Sequence, residues 1–282
     1  MIVIGAALGS ALGVVIASSV LKIPLMELNQ VLSNPKPSDA NVLMWINNVA
    51  QICMFLIPVI LYTLIFSSGQ IKGLKKFPIM LVLAAPAIVF SASGLIDLFS
   101  SLNYFLIPEG SWLESILLPS EQTGEKMVKV LLGEGSEPYL LLAFFSIAVL
   151  PAICEELVFR GVLQPLLSKA FSNAHIGIWV SAIIFSAIHF QFYGFLPRVV
   201  LGAILGYLVL WSGSLWAAII AHFANNAIAF WMYKQHGSTE TPADSVQNTW
   251  FITLSLTLLF GTLIYWFYQS SKSEGHHIDY TS

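Results

Sequence analysis

The chain has 282 residues, of which 57% are hydrophobic and 10% are charged, and its mean hydropathy is +0.79. These values lie outside the range of soluble globular domains and predict an integral membrane protein. The formal net charge is -3, and the charges form no long run of one sign, which argues against a nucleic-acid partner. Cys53 and Cys154 lie within apolar runs, so they are interpreted as small buried side chains and not as a disulfide framework.

Long apolar runs recur along the whole sequence. Runs of roughly 18 to 25 apolar residues indicate membrane-spanning helices, and about eight such runs occur. They lie at 1–21, 43–68, 78–101, 138–165, 175–193, 196–211, 214–233 and 247–269. The fold class expected is therefore all-α, a polytopic transmembrane helix bundle, with residues 1–282 forming a single integral membrane domain. The fourth run is too long for one simple span.

The stretch from residue 112 to residue 132, between the third and fourth runs, mixes apolar and charged residues. That composition is typical of a helix that lies in the membrane interface.

Lysines in the connections orient the predicted bundle. Lys72, Lys75 and Lys76 follow the second span, and cytoplasmic loops hold an excess of Lys and Arg. With that loop inside the cell, both termini are cytoplasmic and the 102–137 connection lies outside. The sequence therefore predicts a multi-pass protein of the inner or plasma membrane.

Polar and ionisable residues are concentrated in the second half of the sequence. A charge at the centre of a bilayer costs roughly 3 kcal/mol on insertion scales, so such residues are functional candidates. The fourth, fifth and seventh spans contribute Glu155, Glu156, Arg160, His189, His222, Asn225 and Asn226. Each of them alone is as readily explained as a polar bridge between helices. Their concentration on three helices favours a site.

Helical geometry separates the two adjacent glutamates. Residues four apart share a helix face, so Glu156 faces Arg160 and the two charges can pair. Glu155 points elsewhere and has no partner in its own helix, which is the environment expected of a general base. Pro151 removes one helical hydrogen bond nearby and can bend the helix to open a wet cavity.

Two further pairs have the same four-residue spacing. His222 and Asn226 share a face of the seventh span, and Phe185 and His189 share a face of the fifth. Carboxylate, imidazole and amide groups together supply a base for water and donors for a developing oxyanion, which amide hydrolysis requires.

The stretches "EELVFR", "FSAIH" and "HFANN" resemble the three motifs of the CAAX prenyl protease and bacteriocin-processing family of intramembrane endopeptidases. Those motifs are written E-E-x-x-x-R, F-x-x-x-H and H-x-x-x-N, and they occur here in the family's order. The resemblance covers about residues 138–233, which would be the helices of the catalytic core.

The resemblance implies a role for each matching residue. Glu155 and His189 would activate a water molecule, and His222 and Asn226 would stabilise the oxyanion of the tetrahedral intermediate. Glu156, Arg160 and Phe185 would be supporting residues.

Either no cofactor or a zinc ion is compatible with these residues. The sequence has no HExxH helix, so activation of water without a metal is the first hypothesis. Zinc bound by Glu155, His189 and His222 is the second.

The leading hypothesis is an intramembrane endopeptidase that hydrolyses peptides or protein tails delivered to a cavity at the membrane, with the lipid bilayer as its surroundings. The alternative is a non-catalytic membrane scaffold or immunity protein that keeps the protease fold. A transporter would require broken helices in both halves, and the first half shows no counterpart of the polar second half. Prenylated tails, bacteriocin leaders and signalling peptides all remain open as substrates.

The lysine loop generates the first testable prediction. A cysteine introduced as Lys75→Cys should react with a membrane-impermeant maleimide only after permeabilisation, because its loop is expected inside the cell. Glu114→Cys, in the 102–137 connection, should react in intact cells. Labelling of residue 75 from outside would reverse the orientation.

Overall fold

The computed structural model describes residues 2–65, 71, 73–132, 137–236, 250–276 and 278, apart from the side chains of residues 2–10, 137, 138, 236 and 250. Within these ranges the regular structure is helical and contains no strand, which confirms the all-α class. Lys72 and the end of the predicted 43–68 span lie outside the described residues.

The helices of the first half are α1 (Ile2–Leu21), α2 (Leu25–Ser33), α3 (Ala40–Gln51), α4 (Ile57–Ile65), α5 (Ile79–Ser91), α6 (Ser93–Leu106) and α7 (Trp112–Leu131). The helix expected in the membrane interface corresponds to α7. The hydroxyl of Ser111 caps its first turn by accepting a hydrogen bond from the Glu114 amide at 3.1 Å.

The helices of the second half are α8 (Glu137–Phe144), α9 (Leu150–Val158), α10 (Gln164–Ala170), α11 (Ala174–Ala187), α12 (Phe195–Ser212), α13 (Leu215–His236) and α14 (Trp250–Ser273). Helix α12 is the most enclosed of the candidate spans and packs against α5, α6, α11 and α13. It is therefore the central helix against which these four helices pack.

The number of spans is lower than expected from the apolar runs. Among the described residues, five helices are long and apolar enough to cross a membrane, and two bent pairs raise the number to seven at most. The first pair is α1 with α2, at 118°, and the second is α5 with α6, at 42°. The predicted span at 175–193 corresponds to α11, which is too short to count. Hydropathy alone does not show where a helix ends.

The fourth predicted span also ends later than expected, because helical structure runs from Tyr139 to Ala170 without leaving the bundle. Glu155 lies midway along this helical stretch, 15 residues before Ala170. His189 lies the same number of residues after Ala174, the first residue of α11. Since α10 and α11 pack together as an antiparallel hairpin, the glutamate and the histidine reach a similar depth.

Two π-helical turns, Phe145–Val149 and Phe159–Leu163, flank α9. Pro151 follows the first of these turns and has no amide hydrogen for the carbonyl of Ser146, five residues earlier. The side chain of Gln51 donates to that carbonyl at 3.4 Å. A residue of α3 thus satisfies the acceptor that the proline leaves open.

The hairpin between α10 and α11 depends on a close approach at Gly177. A Cβ atom at this position would lie 2.6 Å from the Ser168 amide nitrogen, which is backbone and cannot move alone. A glycine therefore permits the contact between the two helices.

Gly177→Ala should lower the thermal unfolding midpoint of the purified protein, because the added methyl group forces the two backbones apart. The expected loss is about 1–3 kcal/mol of unfolding free energy. Gly261→Ala is the matched control, since no atom lies within 4 Å of its Cβ position and alanine favours the helix. An unchanged midpoint for Gly177→Ala would show that the hairpin packs less closely than described.

Candidate active site

A cavity of about 240 Å³ lies between α9, α13 and the loop that follows α11. Its lining consists of Ile147, Pro151, Glu155, His189, His222, Asn226 and Ala229. The structure thus brings the four residues expected to act in catalysis to one place. Because a water molecule occupies about 30 Å³ of liquid volume, the cavity has room for several.

The ion pair expected from the four-residue spacing of Glu156 and Arg160 is present. The Nη1 atom of Arg160 donates to Glu156 Oε1 at 2.6 Å, and the two residues are 2% and 0% exposed. The second terminal nitrogen of Arg160 donates to the carbonyl of Gly202 at 2.8 Å. Both charges are thus enclosed and compensated within the protein, away from lipid.

His222 lies between the two glutamates, a contact that helical spacing does not predict. Its Nδ1 atom is 2.8 Å from Glu156 Oε1, and its Nε2 atom is 3.9 Å from Glu155 Oε2. The Glu156 oxygen also accepts from Arg160, so the shared hydrogen bond requires the imidazole to donate through Nδ1–H. This bond fixes the ring and directs Nε2 toward Glu155.

His189 is held by the end of α11. Its Nδ1 atom lies 2.8 Å from the carbonyl oxygen of Phe185, and a carbonyl only accepts, so Nδ1 is the protonated nitrogen. The Nε2 atom of the neutral ring then carries the free lone pair. A proton acceptor is therefore available on this histidine.

Phe185 supports both histidines. Its ring centroid lies 5.1 Å from that of His189 and 6.0 Å from that of His222, in edge-on orientations. The Arg160 guanidinium lies 4.9 Å from the centroid of the same ring. One aromatic side chain thus contacts both imidazoles and the guanidinium of the ion pair.

A four-residue repeat on two helices explains why α12 approaches the ion pair. Arg160 and Gln164 bond to the carbonyls of Gly202 and Gly206, and the second bond is 3.2 Å long. A Cβ at Gly206 would lie 2.8 Å from Gln164 Oε1. The four-residue spacing of these glycines predicts close helix packing. The glycines lie outside the three motifs, so the motifs alone do not reveal this contact.

A metal site is not supported by the described part of the chain. No group of three or more His, Cys, Asp or Glu side chains among the described residues is arranged to hold an ion. Glu155, His189 and His222, the possible zinc ligands, therefore line the cavity without forming a coordination shell.

Comparison with known proteins finds a family match for the same segment. Residues 137–228, about a third of the chain, match the model of the Rce1-like family, described as type II CAAX prenyl endopeptidase Rce1-like. An uncharacterized protein of Bacillus subtilis (strain 168), YpbD, is 31% identical over 104 residues, which are 36% of this chain and 48% of the relative. The chain thus spans about half the length of that curated relative. No solved structure matches.

The matched segment contains all three motifs, the buried ion pair and the polar residues that line the cavity. Residues 137–228 of this chain therefore match the Rce1-like family of type II CAAX prenyl endopeptidases, which confirms the resemblance of the three motifs.

Proposed function

We propose that the protein is an intramembrane endopeptidase that hydrolyses peptide bonds in peptides or protein tails. The observation that carries this proposal is one cavity that unites a carboxylate, two imidazoles and an amide, namely Glu155, His189, His222 and Asn226. The match to this family supports a CAAX-type intramembrane protease in general. The helices of residues 138–233 would form the catalytic core.

Glu155 and His189 would act on the attacking water. Both line the cavity, Glu155 remains 8% exposed, and the lone pair of His189 is not used by its bond to Phe185. A water between them would lose a proton to the carboxylate as its oxygen attacks the carbonyl carbon of the substrate. The same carboxylic acid would then return the proton to the leaving nitrogen.

His222 and Asn226 would stabilise the oxyanion. Because Nδ1–H of His222 is held by Glu156, Nε2 is the ring nitrogen left to face the substrate, and it would donate to the oxyanion when it carries a proton. The Asn225 amide donates to Asn226 Oδ1 at 3.4 Å, which leaves the Asn226 amide hydrogens for the substrate. Each donor to an oxyanion is typically worth about 3 kcal/mol in the transition state.

Glu156 and Arg160 would act through His222 and not on the substrate. The Oε1 atom of Glu156 accepts from both Arg160 and His222, so the ion pair holds the imidazole in one orientation. This arrangement resembles the carboxylate that orients histidine in other hydrolases.

The cavity is lined by residues of α9 and α13, which belong to candidate spans, so substrates would reach it from the bilayer or its interface. We propose the inner or plasma membrane as the location, with both termini cytoplasmic. Peptide tails are the substrate class, and prenylation of the substrate would be an added feature to test. A scaffold or immunity protein with this fold would have no use for a Glu155 carboxylate facing a wet cavity.

Adjacent glutamates should give opposite phenotypes. Glu155→Gln keeps the side-chain shape and removes the base, so the purified protein should fold normally and cleave at least about 10²-fold more slowly. Glu156→Ala leaves Arg160 buried without its partner, which should cost roughly 3–5 kcal/mol and deplete folded protein. Cleavage of an internally quenched peptide library and thermal unfolding measure the two effects.

Farnesylated and unmodified peptides that end in Cys-aliphatic-aliphatic-X should be tested in the same assay. Near wild-type cleavage by Glu155→Gln would refute the assignment of the base. If folded wild-type protein cleaves neither set, and no uncleaved termini accumulate in cells that carry Glu155→Gln, the scaffold alternative replaces the protease.

Treatment with a chelator should leave the cleavage rate within about twofold of the untreated enzyme, because three ligands do not converge on one point among the described residues. Dialysis against EDTA followed by the peptide assay tests this expectation. A loss of activity that zinc restores would mean that the residues rearrange around an ion.

A further inference from the structure

The loop 188–194, which connects α11 to α12, carries His189 and has an unfavourable backbone conformation. Phe190 directly follows the histidine and has a φ of +53°, in the left-handed region that side chains other than glycine disfavour. Its ring is 66% exposed, so packing of that ring does not hold the backbone in place. Other contacts must maintain the turn that presents His189 to the cavity.

Three consecutive carbonyl groups of this loop are each held by a side chain from a different helix. The pairs are Ser120 Oγ with Phe190 O at 2.6 Å, Arg198 Nη2 with Gln191 O, and Asn103 Nδ2 with Phe192 O at 2.7 Å. Asn103 is 3% exposed, and its Oδ1 atom also accepts from the Leu196 amide at 2.9 Å. These hydrogen bonds hold the middle of the loop and its junction with α12.

Two of the three donors come from the first half of the chain. Ser120 lies on α7 and Asn103 on α6, and both precede the family-matched segment 137–228. Helix α7 lies so close to the loop that a Cβ at Gly124 would collide with the side-chain amide of Gln191. The first half, which contains none of the three motifs, therefore meets the second half at the loop next to the site.

We infer that Ser120 and Asn103 are positioning residues that keep His189 in place by holding the carbonyls of the loop. The His189 ring reaches the Phe185 carbonyl only while the backbone on its other side keeps the left-handed turn at Phe190. Without the hydroxyl of Ser120, Phe190 relaxes toward its preferred conformations and the imidazole moves. The effect on catalysis rests on the proposed function, whereas the effect on the position of His189 does not.

The first test needs no substrate. The full chain in lipid nanodiscs is treated with diethyl pyrocarbonate, and the modification of each histidine is followed by mass spectrometry. In Ser120→Ala the rate at His189 should rise about threefold or more, because local opening of the loop frees the ring. The rate at His222, which is held by Glu156, should stay unchanged.

Matched variants show whether the effect arises at the loop. Ser115→Ala is the control on the same helix, since its hydroxyl bonds to the Trp112 carbonyl at 2.7 Å, and it should behave like the wild type. Ser120→Thr keeps the donor and should also do so. Asn103→Asp keeps the acceptor for Leu196 but loses the donor to Phe192, so it should resemble Ser120→Ala.

Rescue tests the backbone strain itself. Phe190→Gly adopts the left-handed conformation without a steric penalty. Combined with Ser120→Ala, it should return the modification rate at His189 most of the way to the wild-type value. If the double variant stays as reactive as Ser120→Ala alone, the hydroxyl does not act through the conformation of Phe190 and the inference is wrong.

Kinetics separate this inference from the proposed function. With an internally quenched peptide that the wild type cleaves, Ser120→Ala should lower kcat about tenfold and leave KM unchanged, because His189 is displaced while the substrate still binds. Ser120→Ala with unchanged kcat and unchanged His189 reactivity would overturn the inference even if His189→Ala abolished cleavage. Normal cleavage by His189→Ala would instead refute the proposed role of His189, while the reactivity measurement would still decide the inference.

Discussion

The second half of the molecule depends on one carboxylate oxygen, Oε1 of Glu156. It accepts hydrogen bonds from Arg160 and from His222 in a fully enclosed position, and Arg160 extends the connection to the backbone of α12. Three helices are therefore joined through a single acceptor. Such a group is costly to bury alone and stable only when each partner is present, so the geometry of the cavity and the packing of the bundle are maintained together.

Much of the site is predictable because its determinants are local. The spacing of Glu156 and Arg160 predicts their ion pair, and the motifs predict that Glu155, His189, His222 and Asn226 belong together. The bond from His222 to Glu156 connects residues 66 positions apart, so no helical period reveals it. The contacts of Ser120 and Asn103 with the loop after α11 are likewise long-range and depend on how the two halves pack.

The all-α class was equally predictable from composition, whereas helix ends were not. Apolar runs locate helices but do not distinguish a straight span from a bent pair, so the described residues contain five to seven candidate spans where the runs predict about eight. The fourth apolar run predicted a span that ends at residue 165, directly after Gln164. Gln164 is instead buried against the Gly206 carbonyl, and the helix continues to Ala170. A hydropathy scale scores a glutamine as polar and takes no account of its hydrogen bond to the backbone of a neighbouring helix.

The short helix α11 has a consequence for the surrounding lipid. Its 14 residues rise about 21 Å, less than the roughly 30 Å of hydrocarbon in a typical bilayer. Trp179 and Ile183 on this helix are 45% and 46% exposed, so their side chains are available for contact with lipid chains. Thinning of the bilayer beside α11 is one way in which a membrane matches a short helix, and it would draw headgroups and water toward the loop that bears His189. The depth of the site below the aqueous phase is then determined by the deformation of the membrane as well as by the protein.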